Sequence, residues 1–350
     1  MKRKIIIHGG YQRCATTFLQ EEIFINLKDY LCLSKPQHTF SAGKRKYYFE
    51  ERKDLNLDES IKKLYYFQNA AFPRKYTMIP MMPRNTSFYV EKYKQELIKV
   101  ILSNENKNFI LSDETLFDKI NYHGDENILH FAEIIRSLKK KIDIDVKFII
   151  TIRNQADLLT SIFAFDYYRQ KKNFENFQNF IINFLDEKKE YKQIFCFDFF
   201  YEKVRNLFNC EILVLPIEQL KMERNNYITR LKNFLETDMP EKINYEDNFK
   251  KLKFSEKNNN FYYLKGVRFQ HFYDFLASIH RILSNVFIYK KIYNYLGPLK
   301  KYLRSFMKGK ISGKIVVEKK NDQLIKSAYF KYNKNLEKLT ELKLDNYNYY

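Results

Sequence analysis

The stretch KIIIHGGYQRCATTFLQEEIF, Lys4 to Phe24, decides how the rest of the chain is read. It opens on a β-type apolar run, Ile5-Ile6-Ile7, followed by Gly9-Gly10, which predicts a tight turn. A short polar stretch, Tyr11-Gln12-Arg13-Cys14-Ala15-Thr16-Thr17, leads into an amphipathic helical pattern with Phe18, Leu19, Ile23 and Phe24 on one side. A strand, a glycine turn and a helix start make an anion site. The first amide N–H groups of a helix point outward, the helix dipole adds partial positive charge there, and glycine lets an anion approach the backbone.

Spacing sharpens this reading. The triphosphate-binding loop G-x-x-x-x-G-K-[ST] keeps its frame from Gly10, but Ala15 takes the place of the second glycine and Thr16 that of the lysine. Without the lysine that reaches the β- and γ-phosphates, the loop does not read as that of an ATPase or kinase. Its cation stands earlier, at Arg13. A loop with the cation moved forward and two threonines closing it resembles the 5′-phosphosulfate loop of sulfotransferases that use PAPS (3′-phosphoadenosine 5′-phosphosulfate). That family's pattern is roughly G-x-x-[KR]-[SC]-G-T-T, here Gly10 to Thr17 with Ala15 as the departure.

A second segment, DVKFIITIRNQADLLTSIFAFDYYR, Asp145 to Arg169, carries the same resemblance. A buried-strand pattern over Val146 to Ile152 delivers Arg153-Asn154 to a strand end, and a helix follows with Leu158, Leu159, Ile162, Phe163 and Phe165. The family's 3′-phosphate segment reads like R-N-P-x-x-x-x-x-S, and Arg153 and Ser161 keep its spacing of eight. Gln155 replaces the proline, whose role at a first helical turn is to pre-set φ. A guanidinium forks onto two phosphate oxygens and a hydroxyl completes the shell. Further on, Cys210 to Thr237 resembles the family's late strand and helix, with Glu218 and Leu220 in structural places, and Ala328 to Leu336 resembles the closing helix of bacterial members.

Strand patterns near 4–8, 29–33, 108–112, 146–152 and 210–215 alternate with helical patterns near 15–27, 91–103, 126–140, 155–170, 174–188, 191–208 and 217–236. That order predicts an α/β fold with a mostly parallel central sheet and helices on both faces. The resemblance makes it a three-layer P-loop-like fold in a single sulfotransferase-like domain over 1–350. Ligands of such sheets bind beyond the strands' carboxyl ends. Two regions fall outside the resemblance, 41–90 and 265–318. The first mixes Lys44, Arg45, Lys46, Arg74, Lys75 and Arg84 with aromatics, a mixture that suits an acceptor-side insertion meeting a glycan and equally a solvated loop. The second reads as an amphipathic helical insertion, with Phe269, Phe272, Phe275, Leu276 and Ile279 followed by Lys290, Lys291, Lys300, Lys301 and Arg304, a composition suited to an anionic membrane surface or to the core.

The chain has 350 residues and a net charge of +20. A positive field suits anionic donors, acceptors or membranes, although lysine in a chain rich in Asn, Ile, Phe and Tyr also follows from base composition. Nucleic acid is not expected as a partner, because charge alone leaves the paired anion motifs unexplained. No 18-residue uncharged apolar run predicts a membrane span, and Met-Lys-Arg-Lys before three isoleucines is too short for a signal-peptide core. The expectation is a cytoplasmic protein, with peripheral contact at the inner face of the membrane as an option. Cys14, Cys32, Cys196 and Cys210 have no metal-type spacing and read as reduced thiols.

The resemblance implies PAPS as donor, PAP (the desulfated nucleotide) as product, no required metal, and a carbohydrate hydroxyl on a glycan or glycolipid as acceptor. It places Gly10, Arg13, Cys14, Ala15, Thr16, Thr17, Arg153 and Ser161 on the donor, with Arg13 also neutralising the leaving oxygen. Two residues compete for the general base: Glu114, delivered by a strand ending in FILSDETLF, and His38, in KPQHTF after the second strand. His8, at the end of the first strand, reads as hydrogen-bonded support. A kinase-like phosphotransferase with magnesium and a non-catalytic basic protein binding membrane or nucleic acid stand as alternatives.

Overall fold

The computed structural model describes residues 2–11, 14–34, 95, 97–112, 124–165, 174, 176–186, 191–245, 261–267 and 308–350. Five strands form one all-parallel sheet in the order β2-β3-β1-β4-β5: β1 (Arg3–Gly10), β2 (Tyr30–Ser34), β3 (Asn108–Ser112), β4 (Ile144–Ile152) and β5 (Glu211–Pro216). All five strand patterns read from the sequence are therefore present. β1 is central and pairs with β3 from Ile5↔Phe109 to His8↔Ser112, and with β4 from Arg3↔Ile144 to Gly10↔Thr151. Ile5, Ile6, Ile7, Phe148, Ile149 and Ile150 are all buried. A parallel sheet covered on both faces requires such continuous apolar runs instead of an alternating pattern.

Helices follow the strands along the chain. α1 begins at Thr16–Phe18, widens into a π turn over Leu19–Ile23 and tightens into a 3-10 turn over Phe24–Asn26. It is followed by α2 (Gly124–Lys139), α3 (Gln155–Phe165), α4 (Phe177–Leu185), α5 (Tyr191–Ile194), α6 (Phe197–Phe208), α7 (Ile217–Met222), α8 (Arg224–Leu235) and α9 (Lys319–Thr340). The patterns over 191–208 and 217–236 each prove to be two helices. One break falls at Phe195-Cys196 and the other at Glu223, whose extended φ of −132° interrupts the helix while its carbonyl accepts the Tyr227 N–H to start the next.

The chain divides into two compact units. The first comprises Met1–Leu158, Phe184–Asn248 and Gln323–Tyr350 and holds the parallel sheet. The second comprises Leu159–Asn183 and Phe249–Asp322. It holds an antiparallel pair, β6 (Phe261–Val267) and β7 (Lys308–Val316), and a cluster in which Phe163 meets the rings of Phe177 and Phe180 at 5.3 and 5.2 Å. The ends of the expected helical insertion are thus strands, and 268–307 lies outside the described residues, as does all of 41–90. Among the described residues no helix is long and apolar enough to cross a membrane.

Candidate functional site

β1 and β4 are hydrogen-bonded neighbours in parallel register, so the segments that follow them leave the sheet at the same carboxyl edge. Gly9 and Gly10, expected as the turn, are instead the last two residues of β1, opposite Ile150 and Thr151. The demand for glycine at position 10 is one of space. A Cβ there would collide with Thr151 Oγ1 and lie 2.9 Å from Thr16 Cγ2 and 3.1 Å from Thr151 Cβ. The turn falls later, closed by Cys14 N–H donating to the Tyr11 carbonyl at 3.2 Å. Tyr11 anchors it, buried against Phe195, Phe197 and Phe200 at ring distances of 5.3, 5.2 and 6.2 Å. Ala15 then adopts φ 61°, ψ 20° at the N-cap of α1. The position where a glycine is usual in the resembling loops is left-handed here, a conformation that costs alanine ~1–2 kcal/mol.

Of the donor residues read from the sequence, Gly10, Cys14, Ala15 and Thr16 sit together in this buried strand-turn-helix. Arg13 lies outside the described residues, as do the Thr17 side chain, Glu114 and His38. Cys14 is fully buried.

Arg153 is 2% exposed, just beyond the end of β4, with Nη2 3.3 Å from Asp157 Oδ2. Asn154 caps α3. Its side-chain oxygen accepts the Asp157 N–H at 2.9 Å, and its carbonyl accepts the Leu158 N–H at 2.9 Å. Ser161 is buried on α3 and belongs to the second unit.

The residues that hold Arg153-Asn154 in place come from distant parts of the chain. Glu218, first-turn acid of α7, accepts the Asn154 N–H and Nδ2–H on Oε1, both at 3.1 Å, and the Tyr349 hydroxyl on Oε2 at 3.2 Å. Burial pushes the Glu218 carboxyl up to about 7, opposed by the Arg153 charge and the Asn154 amide. Gln155 and Asn333 exchange side-chain hydrogen bonds at 2.8 and 3.1 Å, Gln155 also donates to the Phe195 carbonyl at 3.2 Å, and Asn333 donates to the Tyr349 carbonyl at 3.1 Å. Gln155 is therefore more than a substitute for a φ-setting proline: it ties the start of α3 to α9. Sequence reading gave Glu218 a structural place and passed over Asn333 and Tyr349. One signal was available for Glu218, since an acid directly after a buried strand of a parallel sheet falls at the ligand-binding edge.

At the neighbouring strand end, His8 Nδ1 is 2.7 Å from Ser112 Oγ, and Gln20 Nε2, in the π turn, donates to the same oxygen at 2.8 Å. Full burial lowers the His8 pKa to about 3, so the imidazole is neutral and supports the end of β3, as its position implied. Ser112 directly precedes Asp113-Glu114.

No family model matches the chain, and no curated protein matches it. Among solved structures, a sulfotransferase domain from the Synechococcus PCC 7002 olefin synthase is similar, at 14% identity and a TM-score of 0.34, over 68% of this chain and 75% of that one. A likeness so slight carries no argument about function.

Proposed function

We propose that the chain is a PAPS-dependent sulfotransferase acting on a carbohydrate hydroxyl. The observation that supports this most is the pairing of β1 with β4, which sends the Gly10–Thr17 loop and the Arg153-Asn154 segment out of adjacent strands at one sheet edge. A nucleotide with phosphates at both its 5′ and 3′ positions needs two such anion sites. In this reading the 5′-phosphosulfate lies on the loop and Arg153 takes the 3′-phosphate, with Ser161 assigned to the same phosphate by its spacing of eight in the sequence.

Sulfuryl transfer asks for three things: removal of the acceptor proton, in-line placement of the planar sulfuryl group, and neutralisation of charge on the leaving phosphate. The acceptor oxygen forms the new bond to sulfur as the bond from sulfur to the 5′-phosphate oxygen breaks. Glu114 or His38 takes the hydroxyl proton, and the Arg13 charge neutralises the leaving oxygen. The test is transfer of radiolabelled sulfate from PAPS to a panel of glycans and glycolipids. Label on sugar with wild type, abolished in Arg153→Ala, is the expected result. No transfer to any acceptor, with hydrolysis of ATP in magnesium instead, would overturn the proposal in favour of a phosphotransferase.

A further inference from the structure

Glu218 is a buried carboxylate held against the end of β4, and each of its oxygens has a different neighbour. Oε1 accepts from the backbone and side-chain N–H groups of Asn154. Oε2 faces the Tyr349 hydroxyl, which both donates and accepts. Among the described residues, the charged groups that act on it are Arg153 at the end of β4, which favours the carboxylate, and Asp157 in the first turn of α3, which opposes it. From the C-terminal segment comes Tyr349, itself influenced by Cys14 of the loop as well as by Glu218 and Arg153. One buried guanidinium is thus shared by two acids, and an anionic phosphate brought to it would be a third negative group.

Resting on the reading above, we propose that Glu218 is a positioning residue for the Arg153 anion site and that phosphate binding there draws one proton from solvent onto its carboxyl. The proton goes to Oε2. The Tyr349 hydroxyl then changes from donor to acceptor, while Oε1 keeps both Asn154 bonds and the segment keeps its place. The neutral acid leaves the Arg153 charge to the phosphate, so added negative charge and an added proton arrive together. Burial has already brought the carboxyl to the point where this exchange falls near neutral pH.

The experiment is calorimetric titration with PAP at pH 6.5–8.5 in buffers of different ionisation enthalpy, which counts protons exchanged on binding. PAP's own phosphates titrate near pH 6, so the quantity read is wild type minus Glu218→Gln. The expected result is uptake approaching one proton above pH 7 in wild type, absent in E218Q, with wild-type affinity falling ~tenfold per pH unit above pH 7. Asp157→Asn keeps the uptake. Tyr349→Phe, which removes the hydroxyl donor from the ionised form, moves the uptake to higher pH and serves if E218Q does not fold.

PAP binding that depends on Arg153 but shows the same proton count in wild type and E218Q, or an uptake lost in D157N, overturns this proposal and leaves the functional reading standing. An uptake that stays at the same pH in Y349F also overturns it. Absence of PAP binding by folded wild type overturns both.

Discussion

Gly10→Ala tests the close approach of β1 and β4 at the start of the loop. The new methyl would run into Thr151 Oγ1 across the strand pair and into Thr16 Cγ2 at 2.9 Å. Neither strand can retreat without loosening a ladder that runs from Arg3↔Ile144 to Gly10↔Thr151. Overpacking of this kind costs ~1–3 kcal/mol. Thr151→Ala removes the hydroxyl and the γ-methyl but keeps Cβ, which is 3.1 Å from the added methyl. The Thr151 hydroxyl is buried and has no hydrogen-bond partner among the described residues, so its loss alone should shift stability by about 1 kcal/mol or less. In the double variant the hydroxyl clash is gone while the Thr16 contact remains, which predicts partial rescue and a coupling of about 1 kcal/mol or more. Urea unfolding of the four proteins, with an unchanged denaturant slope, measures the cycle. If Gly10→Ala costs the same in both backgrounds to within ~0.5 kcal/mol, the steric account of this glycine is wrong.

Further outcomes follow from the same geometry. Ala15→Gly relieves the left-handed backbone but frees the unfolded chain, for a net stabilisation of up to about 1 kcal/mol in urea melts. Asn333→Ala leaves both polar ends of Gln155 short of a partner in the core and should cost ~1–3 kcal/mol; Gln155→Ala with Asn333→Ala should cost less than the sum of the two singles. Two buried groups set opposing pH slopes. Glu218, raised from 4.5 to about 7, favours folding fully below pH 4.5, and its contribution of ~3 kcal/mol is lost as pH rises through 7. His8, lowered from 6.5 to about 3, contributes ~5 kcal/mol above pH 6.5, lost as pH falls toward 3. Across pH 4.5–6.5 the two largely cancel in wild type, so E218Q should show a stability that climbs steeply with pH there, measured by unfolding at each pH.

The parallel sheet was legible because its strands are buried on both faces and so stand out as runs such as Ile5-Ile6-Ile7 and Phe148-Ile149-Ile150. The antiparallel pair β6–β7 was not, since KGKISGKIV, Lys308 to Val316, carries three lysines and two glycines and has little apolar content to mark it. In the candidate site, Arg153 and the loop could be singled out because strand, turn and helix signals lie side by side in sequence. Their support was invisible for the opposite reason: Tyr349 meets Glu218 across 131 positions and Asn333 meets Gln155 across 178. Such contacts are made by the fold and leave no periodic trace. The glycine pair was recognised as special, but close strand approach and turn geometry favour the same residue, and only the register with Thr151 separates them.

The most direct test of the account is calorimetric titration of the folded protein with PAP, beside ATP with magnesium, in wild type, Arg153→Ala and Ser161→Ala. The account predicts binding of PAP and none of ATP, with affinity for PAP reduced ~10–100-fold by loss of the Arg153 charge-assisted bonds and by a smaller factor in Ser161→Ala. Wild-type protein that is folded yet takes up no PAP, or that binds it equally well without Arg153, would contradict it.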